Sequence, residues 1–150
     1  MDSLIKAKSN SADETELIAS KLAKILKPGD IIALYGTLGS GKTCFVRGLA
    51  KGLGIDAGVK SPSYNIINEY PGDTPLYHID FYRLETESEI ESTGWLDYLE
   101  NNGIIAIEWA ERIESQLPAD RIDIKITISD KNRRILEIKA NADIRNRHIG

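Results

Sequence analysis

Residues 31–54 read IIALYGTLGSGKTCFVRGLAKGLG. The run Ile31–Tyr35 is apolar and short, as in a strand covered on both faces. Residues Gly36–Thr43 then match G-x-x-x-x-G-K-[ST], and a helix is expected from Lys42 to about Leu53, stopped by Gly54. Strand, glycine-framed turn and helix, in that order, make a phosphate-binding loop. Gly36 and Gly41 allow a tight turn and a close backbone approach. Successive loop N–H groups form an anion nest, and the following helix adds its positive N-terminal dipole. Lys42 is placed to reach the β- and γ-phosphates, and the Thr43 hydroxyl to ligate Mg²⁺. The expected nucleotide-binding residues are therefore Gly36, Thr37, Leu38, Gly39, Ser40, Gly41, Lys42 and Thr43, with Cys44 directly behind them.

A phosphate-loop protein needs carboxylates opposite the loop, at the carboxyl ends of sheet strands. Two acids meet that condition: Asp80, which ends LYHID, and Glu108, which ends IIAIE. Either can hold Mg²⁺ while the other orients water, and a solvated strand end is the plain alternative for each. His78 shares a strand face with Asp80, but no third metal ligand has suitable spacing. It is expected to position Asp80 or pack nearby. Arg83 suits either an arginine finger or a simple ion pair, and Trp109 either a wall of the nucleotide site or the core. Ser63, in SPSYN (61–65), is a candidate γ-phosphate sensor or an ordinary turn residue. A helix N-terminus lowers a thiol pKa, but Cys44 reads more simply as a small side chain packed on the sheet.

The rest of the 150-residue chain fits one domain, 1–150, around this centre. Leu4–Lys8 alternate as a first strand. Ser11 and Glu14 form a capping box, followed by a helix whose stripe is Leu17, Ile18, Leu22, Ile25 and Leu26. Strands are expected at 64–70 and 76–81 as a hairpin, and at 104–109. Helical segments are expected at 85–101, interrupted near Gly94, and at 110–117. Segments 121–129 and 134–140 alternate as a C-terminal antiparallel hairpin, and the polar tail 141–150 reads as frayed. The expected fold is an α/β sandwich: a mixed, partly parallel sheet flanked by helices.

A net charge of −4 argues against tight unaided nucleic-acid binding. One cysteine precludes an internal disulfide and suits a reducing cytoplasm. The N-terminus has no apolar signal-like region, and no apolar run is long enough for a membrane span.

In order along the chain, GTLGSGKTCFVRGLAKGLGI, SPSYNIINEY, HIDFYRL and IEWAERI resemble the bacterial TsaE (YjeE) family over about residues 13–127. The loop alone is unspecific; H-x-D-x-Y-R with E-W-A-E-R after it is specific. The resemblance implies a small Mg-dependent ATPase, a cytoplasmic hydrolase supporting threonylcarbamoyladenosine modification of tRNA. It would act through the proteins TsaD and TsaB, resetting their complex, with tRNA touched only indirectly and no membrane. It implies ATP and Mg²⁺ on Lys42 and Thr43, Glu108 as the Mg²⁺-side acid and Asp80 near the attacking water, two roles that could be exchanged. It draws Trp109 and Tyr82 towards the nucleotide or a partner. Ser63 stands where the family usually has threonine, and Thr37 where it often has an acid. A small kinase is a rival, although Arg133 and Arg134 sit in an expected turn, a poor lid. A GTPase lacks its N-K-x-D signature here. A nucleotide-gated binding module with negligible turnover is the rival from a different class.

Overall fold

The computed structural model describes residues 3–37, 39–56, 58–60, 62, 66–82 and 84–140. Seven strands form one mixed sheet: β1 (Ser3–Ser9), β2 (Ile31–Tyr35), β3 (Ile67–Tyr70), β4 (Leu76–Asp80), β5 (Ile104–Glu108), β6 (Ile122–Ile128) and β7 (Arg134–Ala140). Their order is β1-β7-β6-β2-β5-β4-β3. β6, β2, β5 and β4 run parallel. The pairs β1–β7, β6–β7 and β3–β4 are antiparallel. The expected mixed sheet and both hairpins are present. Among the described residues no helix is long and apolar enough to cross a membrane.

Alternation along the central strands feeds two cores. Ile32 and Leu34 of β2 join Ile104, Ala106, Ile122 and Ile124 under helices α1 (Ala12–Ala23) and α2 (Lys42–Gly52). Ile31 and Ala33 point the other way, with Ile105, Ile107, Phe81 and Trp95. That second face is covered by a short helix, α3 (Glu87–Glu91), and 3-10 turns at Trp95–Glu100, Ala110–Arg112 and Glu114–Gln116. Coverage of both faces is why IIALY and IIAIE carry no polar alternation.

Ser11 caps α1 as expected, its Oγ accepting from Glu14 N–H at 3.1 Å, while Glu14 Oε2 reaches one residue further back and accepts from Asn10 N–H at 2.7 Å. The expected stripe is met in part: Ile18, Leu22 and Leu26 pack against the first core. Leu17 is 54% exposed, and the buried positions are Thr15, Ala19 and Ala23. Ile25 and Leu26 lie beyond the helix end. The cause is the partner helix. A Cβ on Gly48 of α2 would meet the Glu16 carbonyl at 2.3 Å and Ala19 Cβ at 2.7 Å. The two backbones approach so closely that small residues, not leucines, form the contact. The helical segment expected at 85–101 is present and interrupted at Gly94 as expected, an α-helix before it and a 3-10 helix after it, while the helix expected at 110–117 is two short 3-10 turns. Of the strand expected at 64–70, Ile67–Tyr70 is strand, while residues 64 and 65 and the tail 141–150 lie outside the described residues.

Candidate nucleotide-binding site

The parallel strands β2, β4 and β5 end on one edge of the sheet, and register places Asp80 opposite Glu108 and Glu108 opposite Leu34. The loop leaving β2 therefore faces both acids. Gly36 adopts φ +153°, and a Cβ there would lie 2.5 Å from Ser40 Oγ and 2.8 Å from the Ile126 carbonyl. Glycine at this position lets the loop fold down onto β6. Thr37 O accepts from Ser40 N–H at 3.0 Å, closing the turn, and α2 begins at Lys42.

Thr43 Oγ1 donates to Glu108 Oε2 at 2.9 Å, joining loop and β5 across 65 residues. The buried His78 also approaches Glu108 Oε2, its Nε2 at 2.5 Å. A carboxylate only accepts, so the Nε2–H donates and Nδ1 is left without a partner among the described residues. Of the two roles expected of His78, packing near the acids is met, and its hydrogen bond goes to Glu108 rather than to Asp80. It lies diagonally across the β4–β5 pair and serves Glu108 instead, whose side chain is itself buried. Asp80 Oδ1 accepts from Tyr82 N–H at 2.9 Å, which holds the acid at the strand end.

Lys42 Nζ donates to Gly36 O at 2.5 Å and stands 3.8 Å from the centroid of the Trp109 ring. Trp109 occupies the left-handed region at φ +61°, uncommon for a bulky residue, and this turn after β5 swings its ring over the loop. Tyr82, 45% exposed, packs beside it at 5.0 Å. Burial lowers the Lys42 pKa, opposed by the nearby Glu108, Glu111 and Asp80 carboxylates. A cavity of about 360 Å³ collects Gly39, Gly41, Lys42, Thr43, Cys44, Asp80, Tyr82, Glu108 and Trp109. A larger cleft of about 680 Å³ lies on the other side of the loop, lined in part by Tyr35, Gly36, Thr37 and Trp109. There burial pushes the Tyr35 hydroxyl up to about 12, with Asp123 adding to the shift.

Of the expected site residues, Lys42, Thr43, Asp80, Glu108 and Trp109 meet in one place. Gly39, Ser40 and Gly41 frame it, and Gly36 and Thr37 lie at its edge. Leu38, Ser63 and Arg83 fall outside the described residues. Cys44 is a correction: it does not pack on the sheet but is half-buried, with Sγ 3.3 Å from the Ala12 carbonyl at the start of α1. Burial raises its thiol pKa, and the Glu16 carboxylate adds to the shift. Sequence reasoning missed the His78–Glu108 bond, which the strand order could have suggested, and Arg134, whose contacts with the loop carry no local signal.

The donor set suits Mg²⁺. Thr43 Oγ1 and Glu108 Oε2 are adjacent hard oxygen donors beside an anion-binding loop. No group of three His, Cys, Asp or Glu that could hold a metal converges among the described residues.

The family model of the threonylcarbamoyl adenosine biosynthesis protein TsaE matches residues 9–136. The chain is 43% identical to the Bacillus subtilis (strain 168) tRNA threonylcarbamoyladenosine biosynthesis protein TsaE over 137 residues, 91% of this chain and 85% of that one. It is 40% identical to the Aquifex aeolicus protein of the same name, covering 85% of this chain and 90% of that one. The crystal structure of Bacillus subtilis YdiB superposes with a TM-score of 0.83 at 36% identity, over 99% of this chain and 93% of that one.

Proposed function

Since the chain belongs to the TsaE family of threonylcarbamoyladenosine biosynthesis proteins, we propose that it is a small Mg-dependent ATPase serving that tRNA modification. Its nucleotide cycle binds and resets a TsaB–TsaD complex. The observation that carries this reading is the Thr43–Glu108 hydrogen bond, 2.9 Å long, at the N-terminus of a helix that opens with Lys42. A glycine loop kept only for turning needs no buried carboxylate against its hydroxyl.

The triphosphate lies over the start of α2, where loop amides and the helix dipole meet its negative charge. Lys42 exchanges the Gly36 carbonyl for the β- and γ-phosphate oxygens. Thr43 and Glu108 would hold Mg²⁺, and His78 fixes the Glu108 carboxylate through the bond to Oε2. A metal held there would supply charge neutralisation at the transferring phosphate. Asp80, anchored by the Tyr82 amide, accepts the proton of the attacking water. Trp109 and Tyr82 wall the site, and the loop and sheet edge leave it open to a partner.

Single-turnover hydrolysis of ATP tests the enzyme. Wild type is expected to cleave slowly with Mg²⁺, and Lys42→Ala not to cleave measurably. Equal cleavage by both refutes it. A nucleotide-gated binding module with negligible turnover is favoured by one observation, the exposed Tyr82 ring stacked beside Trp109 at the site mouth. Tight ATP binding without cleavage, even with TsaB and TsaD present, would select that reading.

A further inference from the structure

The turn between β6 and β7 reaches back to the phosphate loop through one side chain. Arg134, the first residue of β7, donates from Nε to the Ser40 carbonyl at 2.8 Å, and its Nη2 lies 3.4 Å from the Gly39 carbonyl. Its Nη1 faces the carbonyls of Asp130, Lys131 and Arg133 at 3.1, 3.3 and 3.0 Å. Every one of these acceptors is backbone. Among the described residues no carboxylate forms an ion pair with it. A planar fork of donors is thus spent on tying the loop to a hairpin 94 residues away in sequence.

We infer that Arg134 is a positioning residue for phosphate binding, acting through the loop backbone. In a trans peptide the C=O and N–H point in opposite directions. A Ser40 carbonyl held towards β7 turns the Gly41 N–H to the far side, at the mouth of the helix that starts with Lys42. A Gly39 carbonyl held the same way orients the Ser40 N–H, which the Thr37 carbonyl receives at 3.0 Å. Both peptides are thereby set before any ligand arrives, and the anion nest is preorganised rather than formed on binding. The inference rests on the phosphate-loop reading above and adds to it the β6–β7 turn, which contributes nothing to the Lys42, Thr43 and Glu108 cluster itself. Arg134 also lines a recess of about 170 Å³ with Ser40, Cys44 and Lys131, so a direct contact with the nucleoside is the competing explanation to be separated.

The test is a competition titration: displacement of a fluorescent ATP analogue by ATP and by inorganic tripolyphosphate. It uses wild type, Arg134→Met and Arg134→Lys, with melting temperature recorded for each. Arg134→Met is expected to weaken both ligands by the same factor, about tenfold, as loss of charge-assisted hydrogen bonds implies. Arg134→Lys is expected to stay weakened by about fivefold, because a point ammonium does not span two carbonyls. If Arg134→Met fails to fold, the lysine variant carries the comparison. Wild-type affinity in Arg134→Met overturns the inference. So does full recovery in Arg134→Lys, which would leave only charge, or a loss for ATP without a loss for tripolyphosphate, which would mean nucleoside contact. Failure of tripolyphosphate to compete in wild type also overturns it. Wild type that binds no ATP refutes instead the phosphate-loop reading beneath it.

Discussion

Two hydrogen bonds of the candidate site meet at Glu108 Oε2, one from the Thr43 hydroxyl and one from the His78 ring. Thr43 and Glu108 were legible in the sequence, because a phosphate-loop hydroxyl and a strand-end acid are each local patterns. That they touch was not legible, since it depends on β5 lying beside β2. The pairing of β4 with β5 brought His78 to Glu108. Asp80→Asn and Glu108→Gln are each expected to slow ATP hydrolysis at least about tenfold, roughly 1.4 kcal/mol of barrier. Steady-state phosphate release checks this, and wild-type rates in both variants would remove the acids from the mechanism. The Cys44 thiol sits against the Ala12 carbonyl with its pKa raised, so less thiolate is present at neutral pH than in a free cysteine. Alkylation by iodoacetamide is expected to be slower than that of a free thiol at pH 7.5, to climb through the alkaline range, and to slow further with ATP bound. Fast alkylation at neutral pH, indifferent to ATP, would contradict the placement of this side chain beside the loop.

At the scale of elements, α2 carries the site on one end and the core on one side, and α1 holds it in place. The Ser11 cap of α1 was readable because it is written within four residues. Its buried face was not, because periodicity marks apolar residues while the close approach of α2 selects Ala19, Ala23, Gly48 and Gly52. Gly48→Ala puts a methyl group 2.3 Å from a backbone carbonyl, which neither helix can yield to without moving apart. Overpacking of this kind costs about 1–3 kcal/mol. A domain of this length loses roughly 2–4 °C of Tm per kcal/mol. Thermal unfolding of Gly48→Ala is expected to begin several degrees lower. An unchanged Tm would mean that the helices are not packed backbone to backbone. The break at Gly94 was legible from the glycine itself, but not that much of the helical structure around it and after β5 is 3-10: apolar residues such as Trp95 and Ile113 fill the second core without needing a regular α-helical face.

At the scale of the molecule, the sequence order of strands, loop and acids was enough to anticipate a mixed α/β sheet with its ligand edge at β2, β4 and β5. The position of the C-terminal hairpin was not. β6 enters beside β2 in the middle of the sheet, and only that insertion brings Arg134 and the Ile126 carbonyl against the loop. Long-range neighbours of this kind leave no mark on either segment alone. The result is a small sheet whose loop-bearing edge carries a pair of aromatic rings, Tyr82 and Trp109, with Tyr82 exposed. The most direct measurement of that account is the yield of threonylcarbamoyladenosine on tRNA made by TsaB and TsaD over many turnovers, with ATP and with this protein, its Lys42→Ala variant, or neither. The account predicts continued turnover with the wild type and arrest after about one round in the other two cases. Equal yields in all three would contradict it.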